Sequence, residues 1–277
     1  MDKLYSENVD LDKFYTKPSV AMDCLNYLDL DSYDLIIEPS AGSGSFFHNI
    51  SHDNKVGLDL LPESDDIIEE DWFEYKINSK YKKVLVVGNP PFGKRNKLSG
   101  NFIKHACGFN NVQTIAFVLP HVYNKHTLQK NFSDEYRLKQ VIDLGENAFE
   151  INGEEYHVPC SFYIFDKSDG KCLRFDPEKW MESSDWVFGT KDDFSFFVMG
   201  ASPKTLKMKP SKNNRGYYIK VKDGVKVSHV RRKFRNNLWI ANSSANGGVA
   251  WLSKPELVFS YENWQQDPKP FKRKKNR

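Results

Sequence analysis

The stretch KKVLVVGNPPFGKRNK, Lys82–Lys97, decides the fold. Lys83–Gly88 is an apolar run of strand length, and it stops at Asn89-Pro90-Pro91-Phe92. Two adjacent prolines cannot continue a hydrogen-bonded ladder or enter a helix interior. The residue before a proline is driven into an extended conformation. The reading is therefore a buried strand that ends in a rigid turn, with a polar side chain at its tip, an aromatic ring beside it and two cations, Lys94 and Arg95, just after.

Similar strand-then-loop units lie on both sides. DLIIEPSAGSGSFF predicts a strand at Leu35–Ile37, a glycine-bearing loop and then a loosely written helical stretch. Val56–Pro62 predicts a strand with Asp59 at its polar end, Ile67–Tyr75 a short segment ending near Asp71-Trp72, and Thr114–Pro120 a further strand. KLSGNFIKHACGF predicts a helix, EYRLKQVIDLGENAF a helix followed by a strand, and the β-branched, aromatic run Val158–Lys167 a strand. Upstream, Pro18 suits a first helical turn, with Val20, Met22, Leu25 and Leu28 following at roughly helical spacing. Strands alternating with helices predict a mostly parallel α/β sheet, with functional residues at the carboxyl ends of its strands.

Charge divides the chain. From residue 201 onward there are 19 Lys and Arg against 4 Asp and Glu, whereas the whole chain is only +3. That asymmetry predicts two parts: residues 1–200 as a catalytic domain, and residues 201–277 as a small, basic, β-rich extension that meets a polyanion. The runs YYIKV, VKVSHV and LWIA are read as its strands. Arg231, Arg232, Lys233 and Arg235, near Tyr217, Tyr218 and Trp239, mix cations with rings as single-strand binders do; an ordinary basic surface is the alternative. KRKK near the end reads as a nuclear address or an electrostatic tether. No apolar run approaches membrane-spanning length and the first residues are polar, so an intracellular protein is expected, cytoplasmic or nuclear. Cys24, Cys107, Cys160 and Cys172 are far apart without CxxC spacing, and His105, His121 and His157 lack ligand spacing, so reduced thiols and no metal are expected.

The strand ends carry the chemistry. Gly42 and Gly44 permit a tight turn and a close approach to a ligand. The loop is not GxGxxG and lacks the GK[ST] ending, which argues against ATP or GTP. Asp59 can accept ribose hydroxyls or be a surface acid; Asp71-Trp72 can receive and cover a purine or be a core tryptophan beside a helix cap. An exocyclic amine on an aromatic ring is a poor nucleophile, because its lone pair is delocalised. The Asn89 side-chain oxygen and the Pro90 carbonyl could accept both amine hydrogens, with Pro91 helping to fix that carbonyl. Phe92 offers a stacking surface. Lys94 and Arg95 can meet flanking phosphates or remain solvated.

Taken in order, EPSAGSGSFF, LDLLP, DW and NPPFG resemble the amino-methyltransferases that use S-adenosylmethionine, most closely the N6-adenine DNA methyltransferase family of the gamma arrangement. DKFYTKP, Asp12–Pro18, is similar to that family's N-terminal cofactor segment, and the resemblance spans about residues 10–167. It implies a Rossmann-like class I methyltransferase fold whose mostly parallel sheet closes with a C-terminal β hairpin. It further implies that Tyr15, Thr16 and Pro18 frame the methionine end of the cofactor, that Glu38, Ala41, Gly42 and Gly44 line its loop, and that Asp59 holds the ribose and Asp71 with Trp72 the adenine. Asn89 and Pro90 would hold the target amine and Phe92 would stack on the base. A second aromatic, for which Phe149 in GENAFEINGEEYHVPCSFYIF is the candidate, would cover the flipped base; a core phenylalanine is its alternative. The expected activity is site-specific methylation of adenine N6 in DNA. RNA adenine is second, the glutamine amide of a protein third, and a catalytically silent nucleic-acid-binding subunit is the rival from another class. The short C-terminal part departs from the large recognition domains of the family's duplex-reading members.

Overall fold

A computed structural model describes residues 15–151, 154–170, 172–237, 239 and 251–263. The start of DKFYTKP, most of LWIA and the KRKK tail lie outside the described residues. The chain forms two compact units, Met1–Arg174 and Phe175–Arg277. The division falls well before residue 200, where the charge asymmetry put it. A break at 200 would separate β12 (Phe196–Met199) from β13 (Ser202–Lys207), two strands paired in one sheet.

In chain order the first unit contains β1 (Tyr15–Thr16), α1 (Pro18–Leu25), β2 (Leu35–Glu38), β3 (Lys55–Asp59), β4 (Ile68–Glu69), β5 (Val84–Gly88), α2 (Lys97–Cys107), β6 (Val112–Pro120), α3 (His126–Gln129), β7 (Arg137–Asp143), β8 (Phe149–Ile151), β9 (Glu154–Tyr156) and β10 (Cys160–Asp166). Its main sheet has the order β4-β3-β2-β5-β6-β10-β7. The neighbours from β4 to β6 pair in parallel, and β10 runs antiparallel to both β6 and β7. The sheet is thus mixed and mostly parallel, an α/β fold. Every residue of β2 and β5 is buried, which is why both read as continuous apolar runs rather than alternating ones. A core cluster gathers Ile36, Leu85, Val87, Ala116 and Phe162 with Ala21 and Leu25 of α1. A small antiparallel sheet, β1-β8-β9, pairs Thr16 with Phe149.

Two local expectations fail here. EYRLKQVID forms the strand β7 rather than a helix: Leu138, Val141 and Ile142 fit either period, and pairing along β10 decides the choice. The stretch after Gly44 makes turns and one short 3-10 helix, Phe47–Asn49, rather than an α-helix.

In the second unit, β11 (Trp186–Phe188), β12, β13 and β14 (Gly216–Val221) form an antiparallel sheet of order β11-β14-β12-β13, and α4 (Val227–Asn236) and α5 (Lys254–Glu262) complete the unit. VKVSHV, expected as a strand, instead opens α4. Val230 and Phe234, four apart on one helical face, are fully buried with Trp186, Phe196, Ile219 and Tyr261. Burial of that face outweighs the β-branched character of the run. Glu256 in the first turn of α5 accepts the Ser253 N–H at 2.7 Å, which satisfies one otherwise orphaned backbone donor. No described helix is long and apolar enough to cross a membrane.

Candidate active site

Because β3, β2 and β5 are parallel neighbours, their carboxyl ends share one rim. The chain builds away from β2 in both directions, to β3 on one side and β5 on the other, so the rim at β2 is the switch point where such sheets open a crevice. Three loops meet there. The Gly42 N–H donates to Asp59 Oδ2 at 2.7 Å and the Leu61 N–H to Asp59 Oδ1 at 2.9 Å. The Ser40 hydroxyl donates to the Asn89 carbonyl oxygen at 3.3 Å. The Ala41 N–H donates to the Leu58 carbonyl at 2.8 Å, and the Glu63 N–H to the Gly42 carbonyl at 3.1 Å. Gly44, at φ 87, is the position that only glycine tolerates: a Cβ there would lie 2.3 Å from the His48 ring. At Gly42, φ 53, the Tyr15 ring packs 3.2 Å from where a Cβ would stand.

Glu38 ends β2 and is buried. Its carboxyl accepts the Phe47 N–H at 2.7 Å, and its Cγ lies 3.0 Å from the point a Cβ on Gly88 would occupy. Burial pushes this carboxyl well above the ordinary range, with the neighbouring charge of Asp59 adding to the rise and the Phe47 N–H opposing it. Glu38 therefore ties the glycine loop to the residue before Asn89, a supporting role behind the loop.

The N-terminal segment reaches the same place. β1 is held on β8 through the Tyr15–Glu150 and Thr16–Phe149 pairs, and the Lys17 N–H donates to the Ala148 carbonyl at 3.1 Å. The Tyr15 hydroxyl donates to Glu63, and its own titration is pushed up, first by burial and then by that carboxylate. Thr16 is buried, and its hydroxyl has no hydrogen-bond partner among the described residues. Pro18 is exposed at the first position of α1.

In the turn itself Asn89 and Pro91 are half-buried, Pro90 is buried and Phe92 is 9% exposed. Lys94 and Arg95 are exposed. The chain after Phe92 is unusual: Gly93, Arg95 and Asn96 all have left-handed backbones, at φ 65, 57 and 60. Glycine and asparagine adopt such angles readily, but for Arg95 the conformation persists only where surroundings enforce it.

Two expected roles in the first unit, those of Trp72 and Phe149, do not fit the observed positions. Trp72 is 1% exposed, its Nε1–H donates to the Phe102 carbonyl at 3.4 Å, and its ring packs edge-on against His105 at 4.9 Å. A ring so enclosed has no face left for a purine, and the core alternative holds. Asp71 accepts the Phe73 N–H at 2.9 Å, shaping the same turn. Phe149 is wholly buried in the cluster that contains Phe92, because β8 pairs with β1 and carries it inward; it does not present a covering face. In the second unit the rings near the cations are half-buried and engaged by neighbours. Trp239 stacks on Phe234 and donates its Nε1–H to the Phe234 carbonyl, while Tyr217 packs on Phe188 and donates to the Leu252 carbonyl. Lys233 lies 3.9 Å from the centroid of the Tyr261 ring, Arg231 and Arg235 are half-buried, and Arg232 is exposed.

Sequence reading missed Ser40 and Glu63, which hold Asn89 and Tyr15. Serine beside a glycine loop and an acid four residues beyond Asp59 carry no distinguishing signal without the fold. It also missed Leu60, Leu61 and Ile68, which are exposed apolar side chains at or just past the ends of β3 and β4. Among the described residues no group of three or more His, Cys, Asp or Glu could hold a metal ion.

A scan of protein-family models finds no match to the chain, and a search of curated proteins finds none. Solved structures with a related backbone include a modification subunit of a "putative type I restriction enzyme" from Vibrio vulnificus YJ016. It has 14% identity and a TM-score of 0.41, and the match covers 66% of this chain and 48% of that one. Another is a "putative RNA methyltransferase" from Pyrococcus horikoshii, with 15% identity and a TM-score of 0.43, covering 58% of this chain and 91% of that one. The chain thus spans about half the length of the Vibrio subunit.

Proposed function

We propose that the first unit transfers a methyl group from S-adenosylmethionine to an exocyclic amine, the N6 amine of adenine in DNA. One observation carries this reading: the glycine loop, Asp59 and the Asn89–Phe92 turn share one rim at the switch point, joined by the Gly42–Asp59 and Ser40–Asn89 hydrogen bonds. The residues suit the cofactor. The Thr16 hydroxyl is a buried polar group in need of a partner, as at the methionine end of a bound ligand. Each Asp59 oxygen accepts one backbone N–H and retains a second lone pair for a ribose hydroxyl. Leu60, Leu61 and Ile68 offer apolar surface for a purine in place of Trp72.

The bound cofactor supplies an electrophilic sulfonium methyl group. The chain's task is to present the amine to it. The Asn89 side-chain oxygen and the Pro90 carbonyl accept the two amine hydrogens, which favours the developing positive charge on nitrogen. The two prolines fix that carbonyl before substrate arrives. Phe92 supplies a ring edge or face to the base. A base within a duplex must be flipped out to reach such a site. Lys94 and Arg95 meet the flanking phosphates, and Arg232, with Arg231 and Arg235, provides charge for a polyanion. With the Tyr217 hydroxyl and the Trp239 ring engaged within the unit, these cations act on phosphates.

Mass analysis of nucleosides from DNA and RNA treated with the protein tests the reading. N6-methyladenine is expected in DNA. Asn89→Ala should lower its formation about a hundredfold or more, on the order of 3 kcal/mol, with cofactor affinity unchanged. Methylation by Asn89→Ala at the unaltered rate would remove the amine-binding role, and product found only in RNA would move the substrate to the second reading.

A further inference from the structure

Behind the Asn89–Phe92 turn lies a buried polar chain that no step above uses. Ser99, in the first turn of α2, is fully buried. Its N–H donates to the Phe92 carbonyl at 3.3 Å, and its hydroxyl donates to the Asn96 carbonyl at 3.2 Å. The same hydroxyl lies 2.8 Å from the hydroxyl of Tyr123, also fully buried, in the short helix that follows β6. Having given its only proton to Asn96, Ser99 accepts from Tyr123. The Asn131 side chain in turn bonds to the Tyr123 hydroxyl, whose titration burial pushes up to about 12, so this hydroxyl keeps its proton. Gln129 anchors the segment from below by donating its side-chain N–H to the Tyr123 carbonyl at 2.9 Å.

Ser99 thus grips both ends of the left-handed stretch, at Phe92 and at Asn96. The grip has a mechanical purpose. Gly93 and Asn96 adopt such angles readily, but Arg95 has a side chain that disfavours its φ of 57 and would relax to an ordinary backbone angle if released. A Cβ on Gly93 would lie 2.7 Å from the Leu98 Cβ, so the turn is pressed directly on α2 and has no slack. Relaxation would carry Phe92 and the preceding prolines with it.

We propose that Ser99 and Tyr123 are positioning residues: an Asn131–Tyr123–Ser99 hydrogen-bond chain latches the strained 93–96 turn and thereby sets Asn89, Pro90 and Phe92 against the target base. The inference rests on the amine-methylation reading for its consequence, and on geometry alone for the latch. Two variants test it in the full chain. Tyr123→Phe removes one hydroxyl and leaves the ring; Ser99→Ala removes the other, with Ser99→Thr as the variant that restores a hydroxyl. Backbone amide exchange over residues 89–99, followed by mass spectrometry, should speed up at least tenfold in both single variants and return toward normal in Ser99→Thr. Turnover should fall about tenfold in Tyr123→Phe and Ser99→Ala, with the KM for S-adenosylmethionine unchanged. Unchanged exchange in folded Tyr123→Phe and Ser99→Ala overturns the latch. Faster exchange with undiminished turnover overturns the positioning role. Should the unaltered protein methylate no amine at all, the exchange result still decides the latch, and the methylation reading fails separately.

Discussion

The rim of the first unit and the α4 face of the second handle polar side chains in opposite ways. At the rim, Asp59, Glu38 and Ser40 spend hydrogen bonds on holding backbone loops in place. On α4 the rings turn inward, with Phe234 wholly buried, and Arg232 stays in solvent. The rim is a geometric device and the helix face an electrostatic one. Damage to the first should appear in structure, cofactor affinity and turnover; damage to the second should appear in salt dependence.

The largest effect should come from the residue the comparison assigns most firmly to structure. Trp72→Ala should cost about 3–5 kcal/mol of stability, as large cavities in packed cores do, read by denaturant unfolding. A loss under about 1 kcal/mol would put the indole back at the surface as a cofactor-covering ring. Next, Asp59→Ala removes the acceptor of two backbone N–H groups. It should destabilise by about 2 kcal/mol and weaken S-adenosylmethionine binding by at least tenfold in calorimetry. Unaltered cofactor affinity in a folded variant would mean that the glycine loop is held without Asp59.

Glu38 sharpens the comparison through pH. Its folded-state titration lies above the ordinary carboxyl range, so the fold binds this proton more tightly than the unfolded chain does. Its contribution is fully present below the ordinary range and is lost as pH rises through the folded value. Glu38→Gln keeps an acceptor for the Phe47 N–H and removes the titration. Thermal melts should show the variant gaining on the unaltered protein as pH moves from acid to neutral; two parallel curves would mean that Glu38 titrates in the fold as it does in the unfolded chain.

The smallest expected effect is on the helix face. Arg232→Ala should leave stability and cofactor binding alone, and lower the slope of log affinity for DNA against log salt by about one. Were the slope unmoved in Arg232→Ala, α4 would be an ordinary solvated surface and the contrast between the two regions would lose its second half.

Sequence alone determined what is enforced locally. Pro90 and Pro91 end a strand wherever they stand, Gly44 permits its turn by lacking a Cβ, and the unbroken apolar runs at Leu35–Ile37 and Val84–Gly88, bounded by turn residues, read as strands buried on both faces. These rules involve neighbours in the chain, so the α/β reading and the positions of the rim loops were legible. Tertiary structure decided everything that depends on which face a side chain turns. Trp72 and Phe149 are as suited to covering a base as to filling a core, and packing against α2 and pairing with β1 settled the matter. Val227–Asn236 and Arg137–Asp143 carry apolar residues that fit two periods, and burial of Phe234 in one and the ladder to β10 in the other chose between them. The supporting bonds of Ser40, Glu63 and Ser99 join residues distant in the chain or separated by a strained turn, and such partners exist only once the fold has brought them together.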